Sequence, residues 1–205
     1  MSFSSSSASK TGGAPPPPPP PPPVVQKAHP PPPPPERPVV PSEGPSGAFL
    51  VELLVFNGSP FKDHWAYFVR SHHDRNIGVS VHATGSVADG FQFEIKRSHD
   101  LQETGNTPTE RIPLQWVNAE YFDEKAMLNH GKQKIDTKPV CGFEISTHKA
   151  KAPEKTLNSA EDMTKRGRKI TQKNCQSWAV EAADFLVQDR IFNSEVADYL
   201  HVIKQ

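Results

Sequence analysis

The chain has 205 residues, a formal net charge of +0 and a pI of about 7.1. A neutral chain has no global charge to attract nucleic acid or an acidic membrane surface, so neither is expected as a partner. Two cysteines are too few for a disulfide framework, and the sequence opens without the apolar segment of a secretory signal. These features predict a soluble cytoplasmic protein with reduced thiols and no transmembrane segment.

Residues 1–46 form a tail of low complexity that is rich in serine and proline. Its proline runs, Pro15–Pro23 and Pro30–Pro35, cannot bury enough apolar surface to offset the entropy of ordering, so the tail is predicted to be disordered. Two interpretations stay open. The tail is either a docking strip for a partner with an aromatic groove, of the profilin, SH3 or WW type, or a stiff spacer without a partner. Residues 47–205 are long enough for one compact domain.

Ordered sequence is predicted to begin near Ala48 with a mostly buried strand at Phe49–Phe56. Two further strands, His64–Val69 and Ile77–His82, alternate apolar and other residues and are joined by a polar loop. The alternation of Phe91–Lys96 predicts a fourth strand, which is half-buried.

The register of the hairpin between the second and third strands places two histidines together. If the strands pair about His73, Trp65 faces Val81 on an apolar face. The same register puts His64 directly opposite His82 on the other face. The remaining residues of that second face are largely small, so we expect a helix to approach it closely.

The second half of the chain mixes strands and helices. Ile112–Val117 is predicted to be a strand, at a sheet edge because proline cannot donate to a ladder. Asn118 is predicted to cap a helix that runs to about Asn129, and Val140–Ser146 is predicted to be the last strand. A polar connector follows, and its basic run Lys165–Lys169 is either solvated or a nuclear or phosphate-binding signal.

A helix is predicted to begin at Cys175, because apolar residues recur there at helical spacing. The stripe consists of Cys175, Trp178, Ala179, Ala182, Ala183, Leu186 and Val187. Ser194 is predicted to cap a short last helix through about Val202.

Cys175 is the candidate nucleophile because it stands at the N-terminal end of this stripe. The free backbone N–H groups and the helix dipole favour negative charge there, which predicts a thiol that ionises easily. The backbone N–H groups of Cys175 and Gln176 are candidate donors to an oxyanion. A nucleophilic site also needs a base and a polar group that orients it, and His64 and His82 are the candidates. No cofactor and no metal are expected.

Three short motifs resemble a known superfamily: His64-Trp65-Ala66-Tyr67-Phe68-Val69, Gly78-Val79-Ser80-Val81-His82 and Asn174-Cys175-Gln176-Ser177-Trp178. They are similar to the circularly permuted papain-like, NlpC-type proteins, in particular the lecithin:retinol acyltransferase and phospholipase branch. That branch has one histidine opening an H-W-A strand, a second closing the next strand, and a nucleophile in an N-C-E-H-F motif at a helix start. The motifs H-W-A and N-C-Q-x-W resemble an uncharacterised fungal group more closely still.

The resemblance implies an α+β fold in which an antiparallel sheet packs against the cysteine-bearing helix. It also implies that His64 is the base, His82 the third polar residue and Cys175 the nucleophile. Gln176-Ser177-Trp178 stands where the branch has Glu-His-Phe, so the substrate is left open as an acyl, lipid or peptide group.

Three hypotheses about function therefore stand side by side. The first is a thiol-dependent hydrolase or acyltransferase that uses a Cys-His-His site. The second is a catalytically inactive papain-like interaction module with a proline-rich docking tail. The third is a metal site, which no motif with tight ligand spacing supports. Its ligands would come from His64, His72, His73, His82 and Cys175.

Overall fold

A six-stranded antiparallel sheet forms the centre of the computed structural model. The structure describes residues 36–103, 105, 107–155 and 173–205. The proline runs of the predicted tail and the basic run of the connector lie outside the described residues. The strands are β1 (Phe49–Phe56), β2 (His64–Arg70), β3 (Ile77–Ser86), β4 (Gly90–Asp100), β5 (Glu110–Val117) and β6 (Lys134–Asp136).

The strands lie in the order β5-β1-β2-β3-β4-β6, and all neighbours are antiparallel. The predicted edge position of the fifth strand is confirmed: Pro113 lies in β5, which pairs with β1 alone among the described strands. The helices are α1 (Glu124–Met127), α2 (Gly142–His148), α3 (Cys175–Gln188) and α4 (Ser194–Ile203). The fold is thus a mixed α+β arrangement of an antiparallel sheet and helices. No helix in the described ranges is both long and apolar enough to cross a membrane.

Helix α3 packs on the apolar face of the β2–β3 hairpin. Its predicted stripe is buried except for Val187, which is partly exposed, and Trp178 and Ala182 are completely inaccessible. Tyr67 joins the two layers, because its buried hydroxyl donates a 2.6 Å hydrogen bond to the carbonyl of Ala179. In the part of the chain that the structure describes, no helix approaches the opposite face, contrary to the expectation. That face instead carries a small cluster of buried side chains from four residues and the ring of Phe56: Leu54, Ala66, Phe68 and Leu101.

The register of the hairpin differs by two residues from the predicted one. Tyr67 pairs with Val81 and Val69 with Val79, so the strands pair about residue 74. The loop sets this offset, because the backbone N–H of Ser71 donates to the carbonyl of Ile77 at 2.9 Å. A shift by two residues leaves every side chain on its predicted face.

The segment between β5 and α3 departs most from the prediction. The long helix predicted after Asn118 is replaced by α1 and two 3-10 turns. Asp123 caps α1, because its side chain accepts a hydrogen bond from the backbone N–H of Ala126. The predicted strand at Val140–Ser146 was wrong, since it contains most of α2. The buried residues of α2 are Phe143, Glu144, Ser146 and Thr147, whereas Ile145 is 54% exposed. Among the described residues between β5 and α3, the only strand is β6.

Residues 36–46, which the sequence analysis placed in the tail, lie against β5. The indole Nε1–H of Trp116 donates a 2.8 Å hydrogen bond to the carbonyl of Pro41. Arg37 forms an ion pair with Glu110. These contacts hold this segment to the edge of the sheet.

Candidate functional site

His64 and His82 are brought together by the β2–β3 hairpin. His64 opens β2, His82 lies within β3, and Nε2 of His64 is 2.7 Å from Nδ1 of His82. The shifted register makes them diagonal neighbours instead of directly opposed residues, and long side chains still meet across such a diagonal. The predicted pairing of the two rings is present, although the predicted register is not.

Glu94 extends this pair into a chain of three side chains. It lies directly opposite His82 on β4, and its Oε1 is 3.0 Å from Nε2 of His82. A carboxylate accepts, so His82 donates from Nε2 and keeps a lone pair on Nδ1. That lone pair accepts from Nε2–H of His64, which leaves Nδ1 of His64 as the basic nitrogen.

Glu94 was not among the site residues predicted from the sequence. The sequence feature that pointed to Glu94 is the alternation of apolar and polar residues in β4, which puts Glu94 on the polar face of this strand. The strand pairing with β3 was needed to place it beside His82.

The electrostatics of the chain keep His64 neutral near pH 7. Burial, together with the neighbouring His82 and Lys96, lowers the pKa of His64 to about 4. The hydrogen bond from His82 lowers the pKa of Glu94, so its carboxylate is charged. A neutral imidazole oriented by a carboxylate through a second imidazole is suited to accept a proton.

Cys175 is the first residue of α3. Asn174 caps the helix, and its side-chain oxygen accepts a 3.1 Å hydrogen bond from the backbone N–H of Ser177. The Sγ atom of Cys175 lies 3.9 Å from the carbonyl oxygen of Asp63, the residue before His64. Within the described residues, neither histidine is hydrogen-bonded to this sulfur.

The thiol of Cys175 does not ionise easily in this state, so that prediction was wrong. Burial raises its pKa above the ordinary value. The backbone N–H groups of Trp65, Gln176 and Cys175 act in the opposite direction but do not cancel the effect of burial. The helix end therefore supplies donors around the sulfur, while the resting group is a neutral thiol.

His64 and Cys175 line the same cavity of about 650 Å³. The other walls are mainly apolar and come from the segments before β2, between β3 and β4, and around α3. They include Pro60, Phe61, Val87 and Phe91. His64 also borders a second, polar cavity of about 200 Å³, to which His82 and Lys96 contribute. We call the larger cavity, which Cys175 lines, the cysteine cavity. His64 thus lies between the cysteine cavity and the other two members of the chain, His82 and Glu94.

The side chain of Gln176 connects the start of α3 to Asp63 and Gln205 through hydrogen bonds. Its fully buried side chain donates from Nε2 to the carbonyl of Asp63 at 2.9 Å and to Oε1 of Gln205 at 3.2 Å. Its Oε1 accepts from the backbone N–H of Gln205 at 3.0 Å. Because the side-chain amide is engaged in this way, Gln176 can serve as an oxyanion donor through its backbone N–H and not through its side chain.

The residues of the metal hypothesis do not gather at one point. The ring of His72 packs against Phe49, with the ring centroids 4.1 Å apart. In the ranges that the structure describes, no group of three or more His, Cys, Asp or Glu side chains is arranged to hold a metal ion.

The model of a family of unknown function, DUF6540, matches residues 51–193. The chain belongs to this family. The part shared with DUF6540 runs from β1 through α3, and it includes His64, His82, Glu94 and Cys175. No curated protein and no solved structure matches the chain.

Proposed function

We propose that this DUF6540 member is a thiol-dependent hydrolase or acyltransferase of the permuted papain-like type. Cys175 is the nucleophile, His64 the base and His82 the group that orients the base. The observation that carries the proposal is the shared cavity: a neutral His64, held through Nε2 by the His82–Glu94 chain, lines the same walls as Cys175.

The first half-reaction transfers the acyl group to the enzyme. Nδ1 of His64 takes the thiol proton while Sγ of Cys175 adds to the carbonyl carbon of the substrate. The backbone N–H groups of Cys175 and Gln176 stabilise the resulting oxyanion. When the tetrahedral intermediate collapses, the leaving group receives the proton from His64 and an acyl thioester remains on Cys175.

The second half-reaction releases the acyl group. His64 accepts a proton from water, or from a hydroxyl or amine acceptor, as its oxygen or nitrogen adds to the thioester carbonyl. The thiolate of Cys175 leaves and is reprotonated by His64. Water gives hydrolysis, whereas a hydroxyl or amine gives acyl transfer.

Proton transfer and bond formation are coupled in this mechanism. The raised pKa of Cys175 and the lowered pKa of His64 favour a resting thiol and a neutral imidazole over an ion pair. Such a pair reacts by general-base catalysis, and it needs a bound substrate to desolvate and align the groups. The apolar walls around Phe61 and Phe91 favour a substrate with an apolar acyl group.

The test is acylation by a medium-chain p-nitrophenyl ester. We expect release of nitrophenol and an acyl adduct on the peptide that contains Cys175, detected by mass spectrometry. Cys175→Ser and His64→Ala should each lose the adduct and the turnover. Cys141→Ser is the matched control, because Cys141 is also buried and lies outside the cysteine cavity.

Two outcomes would contradict the proposal. One is an adduct that persists in Cys175→Ser or maps to Cys141. The other is a folded wild-type chain that reacts with no ester, thioester or amide of varied acyl length. The second outcome would favour the inactive papain-like interaction module.

A further inference from the structure

The contact between residues 37–45 and β5 has the chemistry of proline-rich peptide recognition. Prolines 38 and 41 fix their own φ near −65° and hold the residues before them in extended backbone. Arg37-Pro38-Val39-Val40-Pro41 is therefore built to be a short polyproline II segment, whose carbonyls have no partners of their own. Trp116 uses one of them, since its indole Nε1–H donates to the carbonyl of Pro41.

Charge and shape complement this hydrogen bond. The guanidinium of Arg37 pairs with Glu110, which lies on the same strand as Trp116. The backbone of Gly44 lies on the indole, so close that a Cβ atom there would be 2.2 Å from Cδ2 of Trp116. On the sheet side, the guanidinium carbon of Arg70 is 5.5 Å from the centre of the same ring. An acidic residue, an indole donor and an aromatic surface thus meet an Arg-Pro-x-x-Pro sequence.

The bound segment is held like a ligand and not like part of the core. Val39 is 98% exposed, and the side chains of Arg37 and Glu110 are 60% and 41% exposed. An exposed ion pair contributes at most about 1 kcal/mol. A cavity of about 230 Å³ remains between the segment, β5 and the start of α4, so the segment does not fill the space that it covers.

We propose that Trp116 and Glu110 form a recognition site for proline-rich segments, that Arg37–Pro41 is its intramolecular ligand, and that a partner protein with an exposed Arg-Pro-x-x-Pro segment displaces it. In this proposal the aromatic surface belongs to the chain itself, whereas the sequence analysis expected it on a partner protein. A tethered ligand competes at an effective concentration on the order of millimolar. A partner segment therefore binds wild type weakly and binds tightly once the tethered ligand is disabled.

The experiment measures binding of a fluorescent peptide spanning Glu36–Ser46 to the full chain by anisotropy. Gly44→Ala pushes the tethered segment off the indole, so we expect it to bind the peptide at least about ten-fold more tightly than wild type. Ser42→Ala is the matched control, because Ser42 is exposed in the same segment, and it should bind as wild type does. Arg37→Glu provides a second route, since the new carboxylate repels Glu110, and it should also tighten binding of the peptide.

Trp116→Phe added to Gly44→Ala should abolish the gain, because phenylalanine keeps an aromatic ring but has no N–H donor. Iodide quenching gives an independent readout, since Trp65 and Trp178 are 2% and 0% exposed and the quencher reaches mainly Trp116. Quenching should rise in Gly44→Ala and fall again when peptide is added. The proposal is overturned if neither Gly44→Ala nor Arg37→Glu gains affinity while both keep the wild-type near-UV circular dichroism. It is equally overturned if the gain survives Trp116→Phe.

Discussion

Arg97 is a buried charge on which several elements of the fold depend. Its side chain is 2% exposed and extends from β4 into a cluster of acceptors. It donates to both carboxylate oxygens of Glu144, at 2.9 and 3.1 Å, and from Nε to Asp136 at 3.1 Å. It also donates to the carbonyls of Met127 and Lys138. One guanidinium thus connects β4, α1, β6 and α2.

Arg97→Met would remove all of these hydrogen bonds and leave the carboxylate of Glu144 with one, from the backbone N–H of Val140. The side chain of Glu144 is 1% exposed, so water cannot replace the lost partner. Removing one member of a buried ion pair costs about 3–5 kcal/mol, because it leaves an uncompensated buried charge. A change of 1 kcal/mol shifts Tm by about 2–4 °C in a chain of this size, so we expect Tm to fall by roughly 6–20 °C.

The assay is urea unfolding followed by circular dichroism, with thermal unfolding as a check. Lys134→Met is the matched control: it removes an ion pair to the same Asp136, but Lys134 is 53% exposed and should contribute only about 0–1 kcal/mol. Arg97→Met combined with Glu144→Leu should recover part of the loss, because no buried charge is then left alone. A loss below about 1 kcal/mol for Arg97→Met, or a double variant worse than the sum of its parts, would refute this reasoning.

Four further predictions concern the site and its support. Glu94→Ala should lower kcat/KM by at most the roughly 10²–10⁴-fold that general-base catalysis contributes, and Glu94→Gln, whose amide oxygen can accept the same hydrogen bond, should lose less. The wild-type pH profile should fall with decreasing pH near 4, where His64 becomes protonated, and a fall near pH 6.5 would contradict its lowered pKa. Iodoacetamide should alkylate Cys175 slowly at pH 7 and faster at higher pH. It should react with Cys175 before Cys141, because burial raises the pKa of Cys141 to about 11. Peptide mapping that shows rapid alkylation of Cys175 at pH 6 would contradict this prediction. Tyr67→Phe should cost about 1–3 kcal/mol in urea unfolding, because a buried helix carbonyl loses its donor, and an unchanged midpoint would show that this bond contributes nothing.

The hairpin shows what residue alternation can and cannot predict. A strand has a period of two, so the pattern of β2 and β3 placed His64 and His82 on one face correctly. The register is set by loop hydrogen bonds such as that between Ser71 and Ile77. Alternation cannot detect a slip by two residues, since such a slip changes no side chain's face.

Two other predictions were wrong because they depend on tertiary contacts that local sequence does not contain. The run Val140–Ser146 is too short for its apolar pattern to separate a helix from a strand, and the partner that fixes Glu144 inside α2 is Arg97, far away in sequence. The pKa of Cys175 was predicted from its position at a helix end, a local property. Burial, which only the packed chain determines, outweighs that effect.

His64 borders two cavities, and this has a consequence for proton exchange in the proposed reaction. An apolar acyl group in the larger cavity would displace water from the Cys175 side of the ring. The smaller cavity beyond the ring is lined by polar side chains, and Glu94 at the end of the chain is 20% exposed. Substrate and solvent protons therefore have separate routes to one imidazole, so a site closed by its substrate still equilibrates with the pH outside.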